Sequence, residues 1–565
     1  MTMRLSLLAI AFASIAYAQN SDVVMAAMHD EMDRSMKQLT VENLEKPYFL
    51  SYRVVDAEDV SVGASFGALN HSNTNRSRRL TVEVRVGDYK LDNSHLFTFD
   101  FDMGTRLRIF NGTTALPLED DYKELRRQIW LATDATYKKA VEDLSKKRGL
   151  RETLTRDDEA DDFSKEDAVT TDYERPDIKV NSVNWEKEAR LLSALFRQMP
   201  GIYTSSVLFN CSNRYTRYLT SEGTWYTRRE PMLTITGNAA TQAQDGMPLA
   251  DFFWVQGRSL AEIPSQEELA SRLSRIGREL TELRQADTLS NYNGPVLVES
   301  DAVAQLVRWN LIPSLVALKN TISGMPGARP NPNQIENPFL DKKGARVLPD
   351  FLSLNDNPTI EQYDKWHLAG LSKMDEDGML SREVKLIENG TLKALLASRD
   401  PVRGVDHSTG SRHAGQAAPS NLIMTVSNGL SATDLHAKFM EMLKQRNRPF
   451  GIAVRRMSPN NTGSSVLLAS KVFPDGHEEL VRGMQFVGFN ATSFKDVVAA
   501  SSDLNFLTLR YQPPPGQFGM RNEGEENLTP VSMLIPSLLF EDATMRRIRV
   551  AMPNPPVSGP PFFDK

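Results

Sequence analysis

All the imidazole and thiol chemistry of this 565-residue chain lies in eight histidines and one cysteine. The histidines are His29, His71, His95, His367, His407, His413, His436 and His477; the cysteine is Cys211. None of these histidines falls between residues 96 and 366. The densest group lies in Gly404-Val-Asp-His-Ser-Thr-Gly-Ser-Arg-His-Ala-Gly415. Asp406, His407 and His413 there offer oxygen and nitrogen donors of the kind a divalent metal takes. A polar Gly/Ser-rich loop of this kind also suits plain contact with a substrate in a cleft. Ser408 and Ser411 stand beside these histidines, but no Gly-x-Ser-x-Gly elbow surrounds them. His477-Glu478-Glu479 follows the turn Asp475-Gly476 and reads as solvent-exposed. Cys211 cannot form an intrachain bridge, so an inert, partly buried thiol is expected.

These groups need a scaffold, and the composition says which kinds are excluded. The net charge is −6 and no basic stripe occurs, which argues against nucleic acid as a partner. Residues 1–18 have the order of a signal peptide: Arg4, an apolar run from Leu5 to Ala16, then Ala16-Tyr17-Ala18. The run is shorter than the roughly 20 residues of a membrane span. No later stretch is apolar enough either, so an exported protein, periplasmic or secreted, without a membrane span is expected. The remaining residues exceed one core, so two domains are expected.

The first domain is expected over 19–290. Residues 21–40 carry Val24, Met25, Met28, Met32 and Met36 at helical spacing, with Ser21 or Asp22 as cap. Tyr48–Asp56, Val60–Leu69 and Leu80–Tyr89 read as strands, the last alternating like a half-buried one. Residues 119–147 read as a helix. Residues 144–173 are dominated by charge and read as a solvated acidic insertion. Helices follow at Trp185–Met199 and Gln266–Ala286, and a hairpin is expected around Ser221-Glu222-Gly223. The second domain, 291–550, begins with Pro295–Val298 and a helical stretch at Asp301–Asn320. A Gly/Pro/Asn loop is expected at 324–338, then strands with one helix at Ala432–Lys444. Residues 551–565 form a Pro-rich tail, extended or mobile. The whole is α+β: an N-terminal mixed α/β-sheet domain and a mainly antiparallel-β C-terminal domain.

Three stretches of the second half resemble the C-terminal domain of the TldD/PmbA family, also known as peptidase U62 or modulator of DNA gyrase. They are Gly344–Pro358; Asp375-Glu-Asp-Gly378 through Ile387-Glu-Asn-Gly390 to Ser398-Arg399; and Pro530–Glu541. The hairpin at Ser221–Gly223, with Arg229 and Pro231, resembles the end of the family's N-terminal domain. The resemblance spans about residues 205–545, and the earlier part resembles a secreted branch. Read from residues alone, the second stretch is a turn, a strand and an Asn-Gly hairpin, a structural signature rather than a chemical one.

The resemblance implies a zinc peptidase with His-Glu-x-x-x-His on the first C-terminal helix and a cysteine near the end. Two imidazoles and a thiolate would hold zinc with one position open for water, and the Glu would take the water's proton. In this chain Arg308 and Trp309 stand where His-Glu is expected, and Pro313 stands near the second His. No cysteine follows Cys211. The resemblance therefore implies a motif-lacking, PmbA-like member with no catalytic residue and no metal of its own. It would complete a peptide-binding cavity as a heterodimer with a metal-bearing TldD-like homologue, zinc being expected only in that partner. Two alternatives stand beside this: an active metal-dependent peptidase with a rearranged site, and a self-associating protein that binds unfolded peptide.

Overall fold

The computed structural model describes residues 22–40, 44–97, 113–152, 160–323, 337–459, 464–511 and 529–558. The expected signal peptide and most of the 324–338 loop lie outside these residues, as do the last residues of the Pro-rich tail. Helix α1 (Val23–Gln38) starts where the Asp22 carboxylate accepts the Met25 backbone N–H at 3.0 Å, a side-chain N-cap. Strands β1 (Pro47–Ser65) and β2 (Ala68–Val86) form one long antiparallel hairpin.

The sequence suggested a break between Tyr48–Asp56 and Val60–Leu69. The chain instead runs straight through Ala57-Glu58-Asp59 and turns at Phe66-Gly67, with φ of 46° and 78°. Two positive φ values make a type I′ turn, whose twist matches the flanking strands. Asn-Gly is the usual signal for that turn, and Phe-Gly conceals it.

Strand β3 (Thr113–Ala115) joins the β2 edge, and helix α2 (Tyr122–Arg151) follows. Then come β4 (Thr170–Glu174), α3 (Trp185–Ala194), β5 (Thr204–Thr220), β6 (Trp225–Gln242), β7 (Pro248–Gly257) and α4 (Gln266–Leu283). The sheet runs β3-β2-β1-β5-β6, with β4 and β7 both beside β6. Alternate residues share a face. Leu50, Tyr52, Val54, Leu80, Val82 and Val84 pack under α1 and α2. Further along the same hairpin, Val62 and Ala64 join Val207, Phe209, Leu233 and Ile235 under α3 and α4. Burying each large apolar side chain contributes roughly 1.5–3 kcal/mol.

The second sheet is built from β8 (Asn291–Val298), β9 (Leu352–Asp356), β10 (Val384–Glu388) and β11 (Asn421–Val426). It continues with β12 (Gly451–Met457), β13 (Val466–Val472), β14 (Glu478–Arg482), β15 (Val497–Tyr511) and β16 (Thr529–Arg547). Its order is β10-β9-β11-β16-β8-β12-β13-β14, with β15 also on β16. Most pairings are antiparallel; β8 with β12 and β11 with β16 are parallel. Helix α5 (Asp301–Asn310) packs on β12, β15 and β16, while α6 (Ala432–Gln445) packs on β8, β12 and β15. The expected hairpin at Asn389-Gly390 is present, with φ of 47° and 75°. The fold is α+β, as the patterning implied. Among the described residues no helix is long and apolar enough to cross a membrane.

Candidate functional site

The helix expected over Asp301–Asn320 stops after 10 residues. The cause is Pro313, which has no N–H to donate and clashes with the preceding turn. The chain tightens into a 3-10 turn at Ile312–Ser314 instead. Helix α5 is buried nearly all round: Ala302, Val303, Ala304, Leu306 and Val307 have no exposed surface. Such a helix belongs to the interior of a domain.

Its polar residues are therefore conspicuous. Gln305 is 1 % exposed and Arg308 6 %. The Arg308 guanidinium donates from Nη1 to Gln305 Oε1 and from Nη2 to the Arg510 carbonyl, both at 3.4 Å. It lies 4.7 Å from the centre of the Trp309 ring. Three buried donors here have no partner: Gln305 Nε2, Arg308 Nε and Trp309 Nε1. An unsatisfied buried donor costs about 1–3 kcal/mol. Among the described residues no carboxylate pairs with Arg308. Burial pushes its pKa down to about 10, so it still carries its charge at neutral pH.

These residues do not fit zinc. Arginine and the indole N–H only donate hydrogen bonds, and proline offers no side-chain ligand. Cys211 sits in the other domain, in β5, opposite Val60 of β1 and Leu233 of β6. Burial pushes its thiol up to about 11, the signature of an inert cysteine. Among the described residues, no three His, Cys, Asp or Glu side chains gather to hold a metal ion.

Nor are the three candidates in the 404–415 loop brought together. Asp406 and His407 are exposed, and His407 Nδ1 lies 3.5 Å from Glu166. His413 is buried, with Nε2 3.1 Å from Ser420 Oγ. Burial pushes His413 down to about 4, so it stays neutral. Ser408 and Ser411 are buried too; Ser408 donates to the Ala397 carbonyl, and Ser411 Oγ accepts from Thr409.

What the loop does is hold the two domains together. The other face of β1, β2, β5 and β6 carries Arg53, Glu83, Arg85, Tyr218, Tyr226 and Arg228. In a lone sheet that face would be solvated. Here it meets the acidic turn Asp375–Gly378 and the segment 398–415. Arg53 donates to the Glu376 carbonyl at 2.6 Å, and Arg228 to the Met374 carbonyl at 3.1 Å. The Asp375 carboxylate accepts three backbone N–H groups, from Asp377, Met379 and Arg412. Glu376 accepts those of Ala414 and Gly415, both at 2.9 Å. Asp400 faces Arg85, His95 and Arg412. Burial opposes its charge, but His95, Arg412 and Arg85 hold it well below the usual carboxylate range.

Part of the charged run 144–173 belongs to this seam: among its described residues, Lys147, Asp162, Phe163 and Ser164 are buried. Lys147 and Asp162 form a buried ion pair at 2.6 Å. Arg399 is fully buried and donates to Glu222 at 2.7 Å and to the Ser164 carbonyl at 2.5 Å. The ring of Phe163 lies between two guanidiniums, 3.7 Å from Arg85 and 3.9 Å from Arg399. Phe163 is the only large apolar residue between Leu154 and Val169. Charge averaging hid it, and the neighbouring Asp162 finds its cationic partner, Lys147, only in the folded chain. Gln305 was missed as well; its place three residues before Arg308, on the same helical face, was the available clue.

The geometry thus defines a class: an α+β protein of two sheets whose helix α5 carries no histidine, cysteine or glutamate. Residues 292–547 match the family described as PmbA/TldA metallopeptidase C-terminal domain, so the second half of the chain is a domain of that family. No curated protein sequence matches it. Its fold is similar to that of TldE from Thermococcus kodakarensis, with TM-score 0.57 and 12 % identity, covering 92 % of this chain and 99 % of that one. A putative modulator of DNA gyrase from Bacteroides thetaiotaomicron is similar at TM-score 0.56 and 14 % identity, covering 94 % of this chain and 100 % of that one. Another, from Thermotoga maritima, is similar at TM-score 0.55 and 14 % identity, covering 92 % and 99 %.

Proposed function

We propose that this chain is the non-catalytic subunit of an exported peptidase pair, completing a peptide-binding cavity with a metal-bearing homologue. The observation that carries the reading is α5. It is kept, buried and anchored in the C-terminal domain, yet Arg308, Trp309 and Pro313 supply none of the donors a zinc site needs. Unfolded peptide would be held in the cavity, for example by strand addition to a sheet edge. Export follows from the residue order at 1–18, which makes the periplasm or the exterior the place of action.

The decisive test is co-purification of the tagged mature chain from its native host. Recovery of a homologue carrying His-Glu-x-x-x-His, with peptide cleavage by the pair and none by this chain alone, is the expected result. Cleavage by the purified chain alone would sink the reading. The rearranged-site alternative is weakened by the separation of His407 from His413. Metal analysis after dialysis tests it directly: bound zinc that disappears in His407→Ala and His413→Ala would reinstate it.

A further inference from the structure

Native interiors leave few buried donors unpaired. On α5 three of them, Gln305 Nε2, Arg308 Nε and Trp309 Nε1, fall within five consecutive residues. All are donors, and one belongs to a cation without a carboxylate partner among the described residues. Arginine's planar fork matches a carboxylate in two places at once. Trp309 and Asn310, at the end of the helix, are only half-buried and give the group a solvent-facing side. Elsewhere in the chain, buried arginines with unpaired nitrogens do have acidic neighbours: Arg228 and Arg258 face Glu230, and Arg456 faces Asp251. The α5 group stands apart from them.

We propose that Gln305, Arg308 and Trp309 form a carboxylate-binding site, which takes the C-terminal carboxylate of an extended peptide. Arg308 places a buried cation at the end of α5, so the matching ligand is an anion. The assignment to a peptide rests on the functional reading above; the carboxylate rests on the donors alone. Arg308 and Gln305 bind the two carboxylate oxygens, and the indole N–H binds one of them or the adjacent peptide carbonyl.

The test uses the full mature chain and three probes: a labelled pentapeptide acid, the same peptide as its C-terminal amide, and N-acetylglycine. Fluorescence anisotropy reads the peptides and calorimetry the small acid. The acid is expected to bind about tenfold to a hundredfold more tightly than the amide, and Arg308→Met to erase the difference. Arg308→Lys should keep part of it, since the charge remains and the fork is lost. Gln305→Leu gives a second reading should the methionine variant fold poorly. Equal binding of acid and amide overturns the carboxylate site and leaves the peptide reading standing. Binding of N-acetylglycine that requires Arg308, with no peptide binding, does the reverse. No binding of any probe defeats both.

Discussion

At the residue scale, the buried charges divide into the satisfied and the unsatisfied. Arg399 is satisfied: Glu222 and the Ser164 carbonyl take its donors. Arg399→Ala leaves Glu222 with only the Tyr89 hydroxyl and no cation, and a loss on the order of 3 kcal/mol in denaturant-unfolding free energy is expected. Arg308 is unsatisfied, so Arg308→Met should leave the thermal midpoint unchanged or raise it by a few degrees, of order 2–4 °C. A fall in the midpoint would show that Arg308 is stabilising. Asp356 is a third kind. Its Oδ1 accepts the Ser420 N–H at 2.9 Å, but its Oδ2 has no partner. Burial raises its carboxyl to about 7 despite backbone donors from Ser420 and Asn421. The folded state thus holds a proton that the unfolded state loses near pH 4. Stability from this group is full below that pH and falls away as pH rises through 7. Asp356→Asn should remove that decline, gaining roughly 2 kcal/mol on the wild type between pH 5 and pH 8. Parallel pH-dependent melts of the two proteins check it.

At the element scale, much was legible and the failures have causes. Helix α1 with its Asp22 cap, the Ser221–Gly223 turn and the Asn389-Gly390 hairpin follow from local chemistry that tertiary context does not override. The Phe66-Gly67 turn was hidden because Phe rarely takes φ of 46°. The end of α5 was marked by Pro313 but overrun by the apolar residues that follow. The site was legible only as an absence: Arg308, Trp309 and Pro313 could be named, while the unpaired donors around them required coordinates. Asp406, His407 and His413 looked like a cluster because they are near in sequence. In the fold, one imidazole faces solvent and the other faces Ser420. Within the 144–173 run, Lys147 and Asp162 bury each other, a pairing that charge density does not reveal. The stretch 162–164 should therefore resist proteolysis in the native protein. Phe163→Ala, which empties the space between two guanidiniums, should cost about 3–5 kcal/mol and open it to limited trypsin digestion.

At the scale of the whole molecule, two sheets meet along a polar seam rather than an apolar one. The sheet face that carries Arg53, Arg85 and Arg228 would be water-loving if the N-terminal domain stood alone. It is buried here because the C-terminal half brings Glu376 and Asp400 to it. Charge pairs across a seam fix relative orientation more than they add to stability. Exposed bridges such as Arg76 with Glu58 contribute little by comparison. The Pro-rich tail joins in as well: the Pro553 carbonyl accepts from Gln242 at 3.2 Å, and Met552 packs on the N-terminal core.

One ring links these scales. Phe163, between α2 and β4, touches Arg85 of the first sheet and Arg399 of the second half at once. A residue shared in this way ties the melting of one half to that of the other. Scanning calorimetry should therefore record a single cooperative endotherm for the mature chain, and Phe163→Ala should split it in two. The molecule would then meet any partner as one block with a fixed angle between its halves. Whatever it assembles with must fit that angle, because the seam between the two sheets is filled.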